Sequence, residues 1–257
     1  MKELENEDAI LIARIKDQKR LCETKNKITN TVFLNSKELV LARKNIDLSN
    51  SFEYGVNDNA ERKIIVFYPE KLTEELARKN LKLIVSCIRI VLPNENIGKF
   101  EHKNYLSALM KIGLERERIG DIIVYEKGAD IIILKSNIEY TINALKQLTR
   151  FKKAQINEID LDIIHEKVDS FEEKQIIVPS MRIDSFVSEL AKCSRNSAIE
   201  YIENERVLIN YETVLKPSKT VQIEDIITIR GKGKFIVSEY LRNTKNDNMV
   251  IKIKKYS

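Results

Sequence analysis

Apolar positions recur along this 257-residue chain with two different periods, and the switches between them divide it into segments. In residues 1–50, Ile10, Leu11, Ile15 and Leu21, then Leu39, Val40, Leu41 and Ile46, follow a helical pattern, with Ser36 placed to cap the second helix. Gly55, Asn57, Asp58 and Asn59 interrupt the pattern with a loop. The β-branched and aromatic run at residues 63–68, closed by Pro69, then reads as a strand.

From residue 81 the period alternates. Residues 83–91 are β-branched and apolar, Pro93, Asn94, Asn96 and Gly98 break the run, and Tyr105, Leu106, Leu109, Met110 and Ile112 recur at helical spacing before Gly113. Residues 121–125 and 130–134 flank a Gly-containing turn, as a hairpin does. Ser136 opens a helix with Ile138, Ile142, Leu145 and Leu148, and residues 151–156 supply a last strand. The order is βαββαβ, shared by ferredoxin-like folds and RNA-recognition modules. An RNA-recognition motif stacks bases on aromatics of its central strands. Here those strands carry none, so the domain reads as RRM-like in topology, with a packing or protein-contact role weighed equally with RNA binding. The charged segment 116–121 reads as a helix-to-strand connection.

Residues 157–178 are acidic and weakly patterned and read as a linker closed by Pro179. Beyond it, Ile183, Phe186, Val187, Leu190 and Ala191 make an apolar stripe, while Arg182, Ser185, Glu189 and Lys192 follow another face. Ser194 is placed to cap a second helix with Ala198, Ile199 and Ile202 inward, which puts Arg195 beside exposed N–H groups where a phosphate would fit. Two short strands follow at 207–209 and 226–230. The whole is an α+β chain: an N-terminal helical segment (1–60), an RRM-like βαββαβ domain (61–157), an acidic linker (158–180) and a C-terminal module with basic terminal strands (181–257).

Composition narrows the function. With 43% hydrophobic and 32% charged residues, the chain is expected to fold rather than stay disordered. The most apolar stretch, 81–92, is broken by Lys82 and Arg89, so no membrane span is expected, and the acidic start lacks the features of a signal or transit peptide. Cys22, Cys87 and Cys193 are sparse and unpaired by spacing, which suits a reducing, cytoplasmic compartment. Two histidines, His102 and His165, give no metal-site pattern. Charge is uneven: residues 230–257 hold eight Lys and Arg against two Asp and Glu, a net of +6 in a chain of net +5, as a footprint for a polyanion would.

Five spaced elements of the C-terminal module, Arg182-Ile183-Asp184, Ser194-Arg195, Val207-Leu208-Ile209-Asn210, Pro217-Ser218 and Asp225-Ile226-Ile227, resemble the S4 (αL-type) RNA-binding domain. Glu205, Tyr211 and Glu224 stand where that family usually has Gly, positions at which a side chain at positive φ is costly. Most of the chain resembles the YlmH family, through Phe67-Tyr68-Pro69, Tyr105-Leu106-Ser107-Ala108-Leu109, residues 117–122, Gly128-Ala129 and residues 230–235. The resemblance implies a bacterial protein, with an RRM-like middle and an S4 domain, that binds the large ribosomal subunit, its RNA and the tRNA held there, and helps rescue stalled ribosomes by extending the stalled chain.

On this reading Arg182 and Arg195 are the first RNA contacts, Lys192, Lys216 and Lys219 the next, Lys232 and Lys234 accessory charges, and Asn210 a further RNA-binding residue. Neither arginine lies on an apolar stripe, so truncation of either is expected to leave folding nearly intact. A monomer without cofactor, metal or catalytic residue is expected. Two alternatives stand. S4 domains also accompany pseudouridine synthases and tyrosyl-tRNA synthetases, although the residues after Asp184 are already taken up by the S4 domain and tail, and neither histidine sits in an adenylate-binding context. A protein-interaction scaffold would suit the aromatic-poor middle domain but leaves the C-terminal charge unexplained. Residues 230–234 lack the second half of a phosphate-cradling loop and read as a basic turn.

Overall fold

Acidic residues in its first turn, Glu7 and Asp8, and Lys25 in its last complement the dipole of α1 (Asn6–Lys25). The computed structural model describes residues 6–57, 60–165 and 171–256. The acidic start 1–5, Asp58 and Asn59 of the loop, and Glu166 and Asp169 of the acidic segment lie outside the described residues. Helix α1 buries Ile12, Ile15 and Cys22 and leaves Ile10 at 48% exposure, so its inner stripe is shifted from the one read in the sequence. Helix α2 (Ser36–Asn45) is capped one residue earlier than expected. Asn35 Oδ1 accepts from the Glu38 amide at 3.0 Å and the Glu38 carboxylate accepts in turn from the Asn35 amide at 2.6 Å, a capping box that Ser36 cannot make.

The chain divides into two compact units, residues 1–167 and 168–257. In the first, the N-terminal part is not purely helical. The short strands β1 (Thr29–Asn30), β2 (Leu34–Asn35) and β3 (Ser51–Tyr54) all pair antiparallel with β4 (Arg62–Phe67). Strand β4, assigned from the pattern to the middle domain, is therefore the centre of the N-terminal sheet. Two-residue strands escape a periodicity reading because they contain no full repeat.

After α3 (Glu74–Lys79) come β5 (Val85–Val91), α4 (His102–Lys111), β6 (Ile119–Tyr125), β7 (Gly128–Leu134), α5 (Ile138–Gln147) and β8 (Gln155–Ile159), in an antiparallel sheet of order β6-β7-β5-β8. The last strand starts later than expected. Phe151, taken for its first residue, sits in a 3-10 turn with its ring buried beneath the helices.

Apart from Ser86, Arg89 and Asp130, strands β5 and β7 are apolar on both faces, and both faces are covered. On one side Ile88, Ile90, Ile131 and Ile133 pack under α4 and α5 with Tyr105, Leu109 and Leu145. On the other, Val85, Cys87, Ile132 and Leu134 pack against Phe33, Phe52, Ile64 and Val66 of the N-terminal part. Gly120 and Asp121 make this second contact possible. A Cβ at Gly120 would lie 2.8 Å from the Phe33 ring, and the buried Asp121 carboxylate accepts from the amides of Glu61 and Arg62 at 3.2 Å each. Arg62 closes the seam by donating to Phe33 O at 2.6 Å and Ile119 O at 3.1 Å. The charged connection before β6 thus ends in a packing joint.

In the second unit, β9 (Phe171–Val178), α6 (Ile183–Ala191), α7 (Arg195–Glu203), β10 (Val207–Ile209), β11 (Glu212–Thr213), β12 (Ile226–Ile229), β13 (Gly233–Asn243) and β14 (Met249–Tyr256) form one sheet of order β11-β10-β12-β13-β14-β9 with two helices. Residues 171–178, read as part of a linker, are its edge strand. Their charge disguises a strand because Glu173 lies opposite Lys254, Glu172 opposite Lys255, and Glu173 pairs with Lys252 at 2.8 Å. Filling the Gly120 space tests the packing joint: Gly120→Val is expected to cost about 2–3 kcal/mol by overpacking against Phe33. Urea unfolding of the full chain checks this, and an unchanged midpoint contradicts it.

Candidate RNA interface

Helix α6 buries more than its apolar stripe. Ile183, Phe186, Val187 and Ala191 are inside as the pattern requires, but so are Asp184 and Ser185. A buried carboxylate needs compensating donors. Arg182, the extended residue at the helix N-cap, donates to Asp184 through Nε at 3.1 Å and Nη2 at 2.8 Å. Arg195, opening α7, donates through Nε at 3.2 Å and Nη2 at 3.0 Å, and the Ser185 amide adds a bond at 3.0 Å. Burial alone would raise the Asp184 pKa; the bonds from Arg182 and then Arg195 outweigh it and hold the carboxyl below the ordinary aspartate value.

The two guanidinium groups remain outward. The Arg182 side chain is 41% exposed and that of Arg195 58%, against 1% for Asp184. Ser194 caps α7 as expected, its Oγ accepting from the Ser197 amide at 3.1 Å. Beside Arg182 runs the turn 216–219, closed by Lys219 N to Lys216 O at 3.0 Å. It holds the start of α6 through the Ile183 amide on Lys219 O at 2.9 Å and the Asp184 amide on Pro217 O at 3.2 Å. Side-chain bonds to Asp184 thus hold Arg182 and Arg195, and backbone bonds tie the turn that carries Lys216 and Lys219 to the start of α6.

The other expected residues are placed differently. Lys192 ends α6 in a left-handed conformation at φ 54°. Lys232 lies in the turn between β12 and β13, where its charge reaches Cys193, whose thiol burial nonetheless pushes up. The Lys234 ammonium stands 5.0 Å from the Tyr211 ring centre and 4.4 Å from that of Tyr256, a cation held between two aromatic rings. Asn210 is taken up internally: its amide nitrogen donates to Asp225 at 2.7 Å and its oxygen accepts from the Ile226 amide at 2.9 Å. The basic tail is also less of a field than the sequence implies. Residues 168–257 hold fifteen Lys and Arg against thirteen Asp and Glu, a net of +2, and two of those carboxylates, Glu172 and Glu173 of β9, lie opposite tail lysines.

The sequence reading missed Asp184 as the hub. The signal was an acidic residue inside an apolar stripe, between Ile183 and Phe186. That hub also corrects the expectation that the arginines are neutral for folding, since removing one leaves a buried charge with one of its two cationic partners. In a double-mutant cycle, Arg195→Ala and Asp184→Ala should couple by about 1 kcal/mol, a value kept small by the exposure of Arg195. A depressed Asp184 pKa contributes stability that is present above the unfolded value of about 3.9 and lost as pH falls through the folded value. Melting temperature should therefore drop below about pH 4, and less steeply in Asp184→Asn. Additive single variants would contradict the clamp.

Glu205, Tyr211 and Glu224 adopt φ of 56°, 68° and 73°. The turns keep a glycine-type conformation without glycine. Glu224 is exposed, so Glu224→Gly should raise stability by about 0.5–1 kcal/mol in urea unfolding. A loss of stability would mean that its side chain contributes more than its backbone conformation costs.

Comparison with known proteins places this geometry. Residues 83–163 match the family model described as a putative RNA-binding domain in YlmH, and residues 181–227 match the S4 domain. The chain is 28% identical over 234 residues to the ribosome-associated protein quality control protein P2 of Bacillus subtilis, covering 89% of this chain and 88% of that protein. A solved structure, the cell division protein ylmH from Streptococcus pneumoniae, aligns with a TM-score of 0.47 at 20% identity over 64% of this chain and 99% of that one. The chain thus resembles the YlmH proteins in carrying a match to the YlmH RNA-binding domain followed by an S4 domain, and it is similar to the P2 protein along nearly its whole length.

Proposed function

We propose that this protein is a non-enzymatic RNA-binding factor that associates with the large ribosomal subunit and its tRNA and acts in ribosome-associated quality control of stalled chains. The observation that carries the reading is the half-exposed arginine pair held on the buried Asp184 within the stretch that matches the S4 domain. A planar guanidinium anchored on one edge presents its remaining N–H groups in a fixed direction, which suits a phosphate oxygen better than a free lysine does. Lys216 and Lys219 add charge at the adjacent turn, Lys192 adds it at the end of α6, and Lys232 and Lys234 are accessory charges at and after the turn between β12 and β13. Asn210 contributes by holding the turn between β10 and β12.

The name of the Bacillus subtilis relative supports the ribosomal setting. The βαββαβ unit serves here as an RRM-like scaffold, and the reading requires no catalytic group, metal or cofactor. A monomer in the cytoplasm fits it. Among the described residues, no helix is long and apolar enough to cross a membrane.

Because alanine would also disturb the clamp, the test uses glutamine, which can still hydrogen-bond Asp184 while losing the charge. Arg182→Gln and Arg195→Gln are each expected to weaken co-sedimentation with large subunits roughly ten- to a hundredfold, the equivalent of one or two charge-assisted hydrogen bonds. Glu200→Ala, at an exposed position of α7, should bind as wild type does. Unchanged binding in the double glutamine variant would rule out the clamp as the contact.

A further inference from the structure

Charge is polarised along the βαββαβ domain. Its topology returns three connections to one end: the segment leading from β5 into α4, the hairpin between β6 and β7, and the segment from α5 to β8. These are joined to each other. The Gly98 amide donates to Glu126 O at 2.9 Å, the Leu92 amide to Lys127 O at 2.8 Å, and Arg150 to Asn104 O at 3.0 Å. Phe100 packs on Tyr105 and Phe151 at 5.8 and 5.7 Å beneath them. Residues 92–103, 125–128 and 146–154 together carry seven Lys and Arg against three Asp and Glu. At the opposite end, residues 111–118, 135–139 and 158–162 carry four against six.

Of the three carboxylates at the basic end, Glu95 pairs with Lys153 at 3.1 Å and Glu101 with Lys103 at 2.8 Å. Lys99, Lys127 and Lys152 are exposed beside them, with Arg150 half-buried. Tyr105 and Phe151 are buried, and the half-buried rings of Phe100 and Tyr125 are engaged by Phe151 and His165, so cations rather than open stacking platforms dominate this surface. The sheet face on which such folds stack bases is closed by Phe33, Phe52, Ile64 and Val66.

We infer that this loop end of the middle domain is a second RNA-contacting surface, which takes the sugar-phosphate backbone without reading bases. The inference rests on the reading of the chain as an RNA-binding factor and names the part of the middle domain that serves it. Phosphate contacts of this kind fix orientation and make affinity fall with salt.

The test compares two full-length double variants with the same change in charge: Lys127→Glu/Lys152→Glu at the basic end, and Lys82→Glu/Lys111→Glu at the opposite end. Binding to purified large ribosomal subunits is measured across a salt series. The first variant should bind roughly tenfold or more weakly, with a salt slope shallower by about one unit for each phosphate that is no longer neutralised. The second should keep the affinity and slope of the wild type. If both variants bind as the wild type does, the inference is overturned while the RNA-binding reading stands. If the wild type itself fails to bind, that reading falls and the inference with it.

Discussion

A sheet with apolar side chains on both faces must be covered twice, and the middle sheet meets this with helices on one side and the N-terminal part on the other. The second cover shapes everything the domain can do. Phe33 lies on Gly120 because no other residue leaves room there, and Asp121 commits its carboxylate to the amides at the start of β4. Both residues belong to a charged connection that reads as a candidate loop in the sequence. Their chemistry is used for docking one layer to the next, and the face that a base-stacking domain leaves open becomes core. In the proposed function, contacts with RNA then fall to loops, edges and the second unit.

In the second unit a single buried carboxylate organises the surface. Asp184 is destabilising in its buried position unless cations satisfy it, and the two that do come from helix starts well separated in sequence, Arg182 and Arg195. The electrostatic requirement of the core thereby fixes two guanidinium groups at the surface. In the proposed function, stability and recognition draw on the same atoms, which is why neutral but hydrogen-bonding replacements separate the two effects and alanine does not.

Much of this was legible from sequence. The βαββαβ order, the apolar stripe of α6 and the Ser194 cap follow from period and capping residues, and the S4 elements point to Arg182 and Arg195. What was not legible has physical causes. Strands of two residues leave no period to detect, as at β1 and β2. An edge strand whose side chains meet lysines across the sheet looks like an acidic linker, as at β9. Asn210 looks available until the turn is folded, when both its polar atoms are occupied. Net charge of the tail overstates the field because the compensating carboxylates are remote in sequence.

The most direct test of this account is a map of protein–RNA crosslinks formed by ultraviolet light between the full-length protein and large ribosomal subunits, read by mass spectrometry. The account predicts crosslinked peptides around Arg182, Arg195 and Lys219 and around Lys99 and Lys152, with none on Cys87, Ile132 or Leu134 of the covered face. Crosslinks concentrated on β5 and β7 would contradict it, because they would require the N-terminal cover to leave the sheet.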